Sequence, residues 1–148
     1  MYKRGTIILY EDTSSIPGQL IRIGSGSPYT HCALALGNGT AIQCEFPHGG
    51  VVALPEGSGD RIVTLIYAGD VELYILNLEA RKGDTYDVFG LLANPLWNLF
   101  GFRLGLRTGK WNCATFMAQA LPGDVLARIK KPIETFVPKD FEILFPKA

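Results

Sequence analysis

The feature that most constrains the fold is a pair of apolar runs between residues 29 and 45, Y-T-H-C-A-L-A-L-G-N-G-T-A-I-Q-C-E, joined by the tripeptide G-N-G. Glycine and asparagine tolerate the backbone angles that a tight hairpin turn requires, so the two runs are predicted to be antiparallel strands. If the strands fold symmetrically about Gly37, His31 lies opposite Gln43. The sequence therefore predicts that this hairpin belongs to a small antiparallel sheet.

The two faces of the predicted hairpin differ in composition, because side chains alternate along a strand. One face is uniformly apolar and is predicted to be core; it consists of Cys32, Leu34, Leu36, Ile42 and Cys44. The opposite face consists of His31, Ala33, Ala35, Gln43 and Glu45. On this second face an imidazole lies beside a carboxamide, and small alanines leave room for another element. The two cysteines of the first face are predicted to be buried packing residues.

A second informative stretch lies between residues 110 and 121 and reads K-W-N-C-A-T-F-M-A-Q-A-L. Its composition favours a helix from Ala114 to Leu121, which places Cys113 at the first turn. Unpaired N–H groups and the positive end of the helix dipole stabilise a thiolate at such a position and lower its pKa. The same N–H groups are suited to receive an oxyanion. The alternative interpretation is that Cys113 is a small core residue.

Together, the hairpin and the helix predict a catalytic constellation. The carboxamide of Gln43 is expected to accept from one ring nitrogen of His31 and to direct the other nitrogen outward. We expect the helix to pack over the two alanines and to bring the sulfur of Cys113 to that imidazole, which is the arrangement of an activated thiol. The alternative interpretation is that His31 is a structural residue with satisfied hydrogen bonds.

The segments T-H-C-A-L-A-L-G-N-G-T-A-I-Q and W-N-C-A-T-F-M resemble the circularly permuted NlpC/P60 proteins of the papain-like superfamily. This group includes the YiiX/YaeF-like proteins and the lecithin:retinol acyltransferase-like enzymes. In this group a histidine begins a strand, a polar residue stands on the returning strand, and the nucleophilic cysteine comes last. His31, Gln43 and Cys113 follow that order. Shorter similarities extend over most of the chain, at G-T-I-I, G-D-T-Y-D and V-P-K-D-F.

The resemblance implies an α+β domain of permuted papain-like topology, in which a small antiparallel sheet packs against helices. It also implies a thiol hydrolase that cleaves an amide bond, in a peptide, a cell-wall peptide or an isopeptide, through an acyl-enzyme on Cys113. The alternative activity is acyl transfer, or thioesterase or lipase chemistry, on a lipid substrate. A catalytically silent binding module of the same fold is a third interpretation.

The sequence departs from this family pattern at two points. The third catalytic position is usually histidine or glutamate, whereas Gln43 is neutral; Glu45 would replace it if the hairpin register slipped. The acyltransferase-like motif is N-C-E-H, whereas this chain has N-C-A-T at Cys113. An amide still orients an imidazole in papain-type sites, so catalysis remains the leading interpretation.

Composition narrows the function classes further. The chain has 148 residues, and residues 1–148 are predicted to form a single domain. Lys plus Arg and Asp plus Glu number 14 each, so the net charge favours neither nucleic acid nor an anionic membrane as a partner. Three cysteines and a start without an apolar signal segment predict free thiols in a reducing, cytoplasmic compartment. The two histidines and three cysteines lack the spacing of metal ligands, and we expect neither a metal nor a cofactor.

Further apolar runs are predicted to complete the antiparallel sheet. Residues 6–10 are predicted to form one strand and residues 51–55 a second, and residues 61–67 and 71–78 are predicted to form another hairpin or two consecutive strands. Large apolar side chains near the C-terminus predict a tail tied onto the core: Phe136, Phe141, Ile143, Leu144 and Phe145.

The stretch Val88 to Phe102 contains no charged residue, but glycine, asparagine and proline interrupt it, and it is too short to span a bilayer. One interpretation is a core helix that kinks or ends before Pro95, followed by an apolar loop. The other is a hydrophobic lid or acyl-chain surface in peripheral contact with a membrane. The expected substrate is accordingly a small molecule, a peptide or a lipid. His48 lies in a loop context and is a further candidate for substrate contact.

Overall fold

The computed structural model describes residues 2–13, 19, 22–23, 25–45, 50–55, 61–81 and 113–148, with the side chains of residues 45, 50–55, 61 and 134 left out. Three features singled out in the sequence lie outside these residues. They are the loop around His48, the G-D-T-Y-D segment and the apolar stretch Val88 to Phe102.

A five-stranded sheet forms the centre of the described structure. Its strands are β1 (Thr6–Glu11), β2 (His31–Ala35), β3 (Thr40–Glu45), β4 (Gly50–Pro55) and β5 (Arg61–Ile66). Their spatial order is β4-β3-β2-β1-β5, and every neighbouring pair is antiparallel. The hairpin strand β2 is therefore the middle strand of the sheet.

Helical residues lie between β1 and β2, at positions 19, 22–23 and 25, and five further helices follow the strands in the described part of the chain. They are α1 (Val71–Glu79), α2 (Cys113–Gln119), α3 (Gly123–Leu126), a 3-10 helix (Ile133–Thr135) and α4 (Asp140–Leu144). An antiparallel sheet combined with helices is an α+β architecture, which confirms the predicted class. In the part of the chain that the structure describes, no helix is both long and apolar enough to cross a membrane.

The β2–β3 hairpin forms, but its centre is Asn38 and the predicted centre at Gly37 is wrong by one residue. Both flanking glycines adopt a φ of 83°, and the Leu36 N–H donates to the Thr40 carbonyl at 2.9 Å, so three residues form the loop. Leu34 consequently lies opposite Ile42. The observed register differs from the predicted one by two residues. Because this is an even number, every side chain keeps its predicted face although its partner changes.

The segment from Val71 to Leu78 is a helix, and the prediction of a strand there is wrong. Asp70 caps the helix by accepting a hydrogen bond from the Leu73 N–H at 3.0 Å. The buried residues Tyr74, Ile75 and Leu78 recur at the spacing of a helix, whereas the apolar alternation that suggested a strand includes exposed positions. A capping aspartate after the preceding glycine therefore determines this element.

Helix α2 packs on the apolar face of the hairpin, not over the alanines as predicted. Cys113, Phe116 and Met117 belong to the same buried cluster as Cys32 and Leu34. The alanine face forms a separate small cluster with Ile8 and Tyr10 of β1. The physical reason is the shape of the two faces, because the bulky face gives a helix with six buried residues more apolar area to cover than alanine methyl groups do.

The C-terminal segment is tied to the core, as predicted, although Ile143 is exposed. Phe136, Phe141 and Phe145 are buried in the main cluster. Beyond α4 the chain extends along β5, where the Ile66 N–H donates to the Pro146 carbonyl at 2.9 Å and the Ala148 N–H donates to the Thr64 carbonyl at 2.8 Å. The outer edge of β5 is therefore paired along these residues.

Candidate active site

His31 is the first residue of β2, and its imidazole is partly buried at the end of the sheet. Its Nε2 lies 2.8 Å from Oε1 of Gln43. A carbonyl oxygen accepts and cannot donate, so Nε2 carries the hydrogen of this bond. Nδ1 is then the ring nitrogen left to exchange a proton with another group.

Gln43 reaches His31 from the neighbouring strand β3 and is buried, with 6% of its surface exposed. The described pairing joins Leu34 to Ile42 and Ala35 to Ala41, and its continuation would make His31 and Gln43 diagonal neighbours, a separation that long side chains span. The expected contact between imidazole and carboxamide is therefore present, although the expected direct opposition is not. The side chain of the alternative partner, Glu45, lies outside the described part of the structure.

Tyr10 of β1 supports the imidazole from the other side. It is the cross-strand partner of His31, and the two ring centroids lie 5.7 Å apart with planes inclined by 31°. Contact with an aromatic ring limits rotation of the imidazole, as the hydrogen bond to Gln43 does. The ring of His31 is consequently held from both neighbouring strands.

Cys113 is the first residue of α2 and is buried, with 5% of its surface exposed. A hydrogen bond from the thiol of Cys32 lowers the pKa of Cys113 most strongly. A hydrogen bond from the His31 imidazole, the charge of that imidazole and the backbone of Cys32 lower it further. Burial alone opposes these effects, because desolvation disfavours a thiolate. The net result is a pKa well below the ordinary value of a thiol.

Cys32 lies next to the nucleophile candidate, a contact that sequence reasoning missed. Its predicted burial is correct, since none of its surface is exposed. Burial is also the largest cause of its raised pKa, followed by the hydrogen bond to Cys113. The signal in the sequence was the position of Cys32 beside His31, but it becomes informative only once α2 is known to cover the apolar face.

Helix α1 fixes the position of α2 and therefore of the sulfur. The buried hydroxyl of Tyr74 donates to the Met117 carbonyl at 3.0 Å, and the side-chain amide of Asn77 donates to the Ala120 carbonyl at 3.5 Å. The first of these bonds engages a carbonyl within α2, and the second engages one just beyond its end. These two contacts join α2 to a second element besides the sheet.

The structure thus brings together the three side chains that the sequence singled out: the thiol of Cys113, the imidazole of His31 and the carboxamide of Gln43. A thiol of lowered pKa, a proton acceptor and a group that orients the acceptor are the components of nucleophilic catalysis. Among the described side chains, no group of three or more histidine, cysteine or acidic residues is arranged to hold a metal ion.

No model of a known protein family matches this chain, and no curated protein matches it in sequence.

Proposed function

We propose that this protein is a cysteine hydrolase of the circularly permuted, papain-like NlpC/P60 type. The observation that carries the proposal is the continuous chain of contacts from Cys113 to His31 to Gln43. Two further facts support it: the three residues occur in the order typical of the permuted families, and Cys113 begins a helix.

Acylation begins when the sulfur of Cys113 attacks the carbonyl carbon of an amide. The proton taken from the thiol resides on Nδ1 of His31, which returns it to the nitrogen of the leaving amine as the carbon–nitrogen bond breaks. The product of this step is a thioester on Cys113 and a free amine. Water then attacks the thioester and gives a proton to His31, and the acid leaves as Cys113 regains its thiolate.

The developing oxyanion needs hydrogen-bond donors, and the first turn of α2 provides them. The N–H groups of a first turn have no partner within the helix, and the N–H of Cys113 is the nearest of them to the sulfur. This role for the Cys113 N–H follows from the position of the residue at the start of the helix.

Amide cleavage is the activity we favour, in a peptide, a cell-wall peptide or an isopeptide. Acyl transfer or thioester cleavage on a lipid is the second candidate, and the observation that favours it is the uncharged stretch Val88 to Phe102. That stretch lies outside the described residues, whereas the contacts of Cys113 and His31 suit a nitrogen leaving group that must be protonated.

Selective alkylation tests whether Cys113 is activated. Because the pKa of Cys113 is lowered well below that of an ordinary thiol, a larger fraction of Cys113 than of an ordinary thiol is ionised at pH 6, and only the thiolate reacts. Iodoacetamide at pH 6, followed by peptide mass spectrometry, should label Cys113 at least about tenfold faster than Cys32 or Cys44. Cys113→Ser is the control. Equal rates at the three cysteines would indicate a catalytically silent module.

Substrate class requires a second measurement on the same protein. Peptide-amide, thioester and phospholipid substrates, each releasing a detectable product, are incubated with the wild-type protein and Cys113→Ser. Turnover of the peptide amide that disappears in the variant supports the hydrolase. Turnover of only the lipid or thioester substrates would replace amide hydrolysis by the second candidate.

A further inference from the structure

We infer that Cys32 is a positioning residue, whose thiol donates a hydrogen bond to the sulfur of Cys113 and holds that sulfur as the attacking group. The inference rests on the proposed function and deepens it, because it assigns a role in the site to a residue that the family pattern does not include.

The fold places Cys32 beside the sulfur of Cys113. It is the second residue of β2, its cross-strand partner is Leu9 of β1, and its side chain lies on the face that α2 covers. Cys113 begins that helix and accepts a hydrogen bond from the Cys32 thiol. The neighbouring His31, one residue earlier at the start of the strand, contacts the same sulfur. Two consecutive residues of β2 therefore engage Cys113.

The two thiols lie in different surroundings, and these favour one direction for the hydrogen bond. Cys32 has no exposed surface and lies near Cys44, and both facts disfavour a charge on its sulfur. Cys113 lies beside the His31 imidazole, whose positive charge favours a thiolate. Cys32 consequently keeps its proton and donates it, and Cys113 carries the charge and accepts.

This donor differs from His31 in one chemical respect. The proton on His31 leaves with the amine during acylation, whereas the proton on Cys32 stays on its sulfur throughout the cycle. When water cleaves the thioester, the sulfur of Cys113 departs as a thiolate, and the Cys32 thiol is in place to stabilise it. A hydrogen bond to an ionised group is stronger than one between neutral groups, so the effect falls mainly on the charged form.

Three substitutions test the role. Cys32→Ala removes the donor, Cys32→Ser keeps a donor of similar size, and Cys44→Ala removes a thiol of equal burial from the same cluster that does not contribute to the lowered pKa of Cys113. The readout is the pH profile of Cys113 alkylation by iodoacetamide, followed by mass spectrometry from pH 4 to pH 10. Thermal unfolding of each variant confirms that it is folded.

We expect Cys32→Ala to move the midpoint of the profile upward by about one pH unit, which corresponds to the loss of one charge-assisted hydrogen bond. Cys32→Ser should restore the wild-type midpoint, and Cys44→Ala should leave it unchanged. Equal upward shifts in the alanine and serine variants, or an unchanged midpoint in Cys32→Ala, would overturn the inference.

The same data separate this inference from the proposed function. A wild-type Cys113 that titrates like an ordinary thiol would overturn both. A low wild-type midpoint that Cys32→Ala leaves in place would overturn only the role of Cys32, and the proposed hydrolase would stand on His31 alone.

Discussion

Gln43 is uncharged, and this determines how His31 can act as a base. An amide oxygen orients the ring through its hydrogen bond to Nε2, but it contributes no full negative charge to stabilise an imidazolium. In the proposed hydrolase, the negative charge on a described group next to the imidazolium is that of the Cys113 thiolate. In this site the thiol and the base depend on one another more than they would with a carboxylate at position 43.

Removal of the carboxamide should lower catalysis without unfolding the protein. Gln43→Ala deletes the acceptor that fixes the ring of His31, and we expect kcat/KM on the cleaved substrate to fall about tenfold or more. Gln43→Glu keeps an acceptor and adds a charge, so it should retain more activity than the alanine variant. Circular dichroism serves as the control for folding. Full activity in Gln43→Ala would show that the ring needs no orienting group.

At the scale of single residues, the sequence identified His31, Gln43 and Cys113 because their chemistry is unusual for the positions they occupy. It did not identify the contact made by Cys32. A small thiol on an apolar face looks the same in sequence whether it faces a leucine or another sulfur. Whether Cys32 faces a leucine or another sulfur depends on which face of the hairpin α2 covers.

Among the elements, helix α1 shows how a short capping signal outweighs an apolar pattern. Val71, Leu73 and Ile75 alternate as they would along a strand, yet the segment folds as a helix. Leu73 and Leu76 are 51% and 61% exposed, so part of the apolar pattern contributes little to the core. The strand prediction failed because the sequence does not reveal which of the apolar residues are buried.

The cap of α1 should have a measurable effect on stability. Asp70→Ala removes the hydrogen bond to the Leu73 N–H, and we expect the free energy of unfolding to fall by about 1 kcal/mol. Asp70→Asn keeps an oxygen acceptor and should lose much less. Urea denaturation at pH 7 measures both. Equal stability of the alanine variant and the wild-type protein would show that the cap is dispensable.

For the whole molecule, the positions of the strands in the sequence were the easiest feature to predict. The contacts between the sheet and the helices were the hardest. The hairpin turn and the alternation of apolar residues determine β2 and β3 locally, and both features are visible in the sequence. The face of the hairpin on which α2 packs depends on contacts between distant parts of the chain, with Tyr74 of α1 and with β2. Local patterns contain no information about such contacts, which is why the sequence singles out the candidate residues but does not predict the packing that joins them.

The C-terminal pairing with β5 is a long-range contact whose removal can be tested. Deletion of residues 146–148 removes two backbone hydrogen bonds and leaves the β5 edge open, so we expect a loss of about 1 to 3 kcal/mol and more aggregation. Lys147→Ala is the matched control, because it keeps the backbone and loses only a largely exposed ion pair with Glu142. Urea denaturation and light scattering measure the two effects. A truncated protein as stable as the control would show that the edge needs no cover.

The adjacency of His31 and Cys32 on one strand ties chemistry to strand alignment. Consecutive residues point in opposite directions, so sliding β2 by a single position would put a sulfur where the ring belongs and turn the ring into the interior. The reactivity of Cys113 therefore reports whether β2 is paired in the correct register. Denaturant concentrations that disrupt the pairing of β2 should lower the alkylation rate of Cys113 even while most of the secondary structure persists.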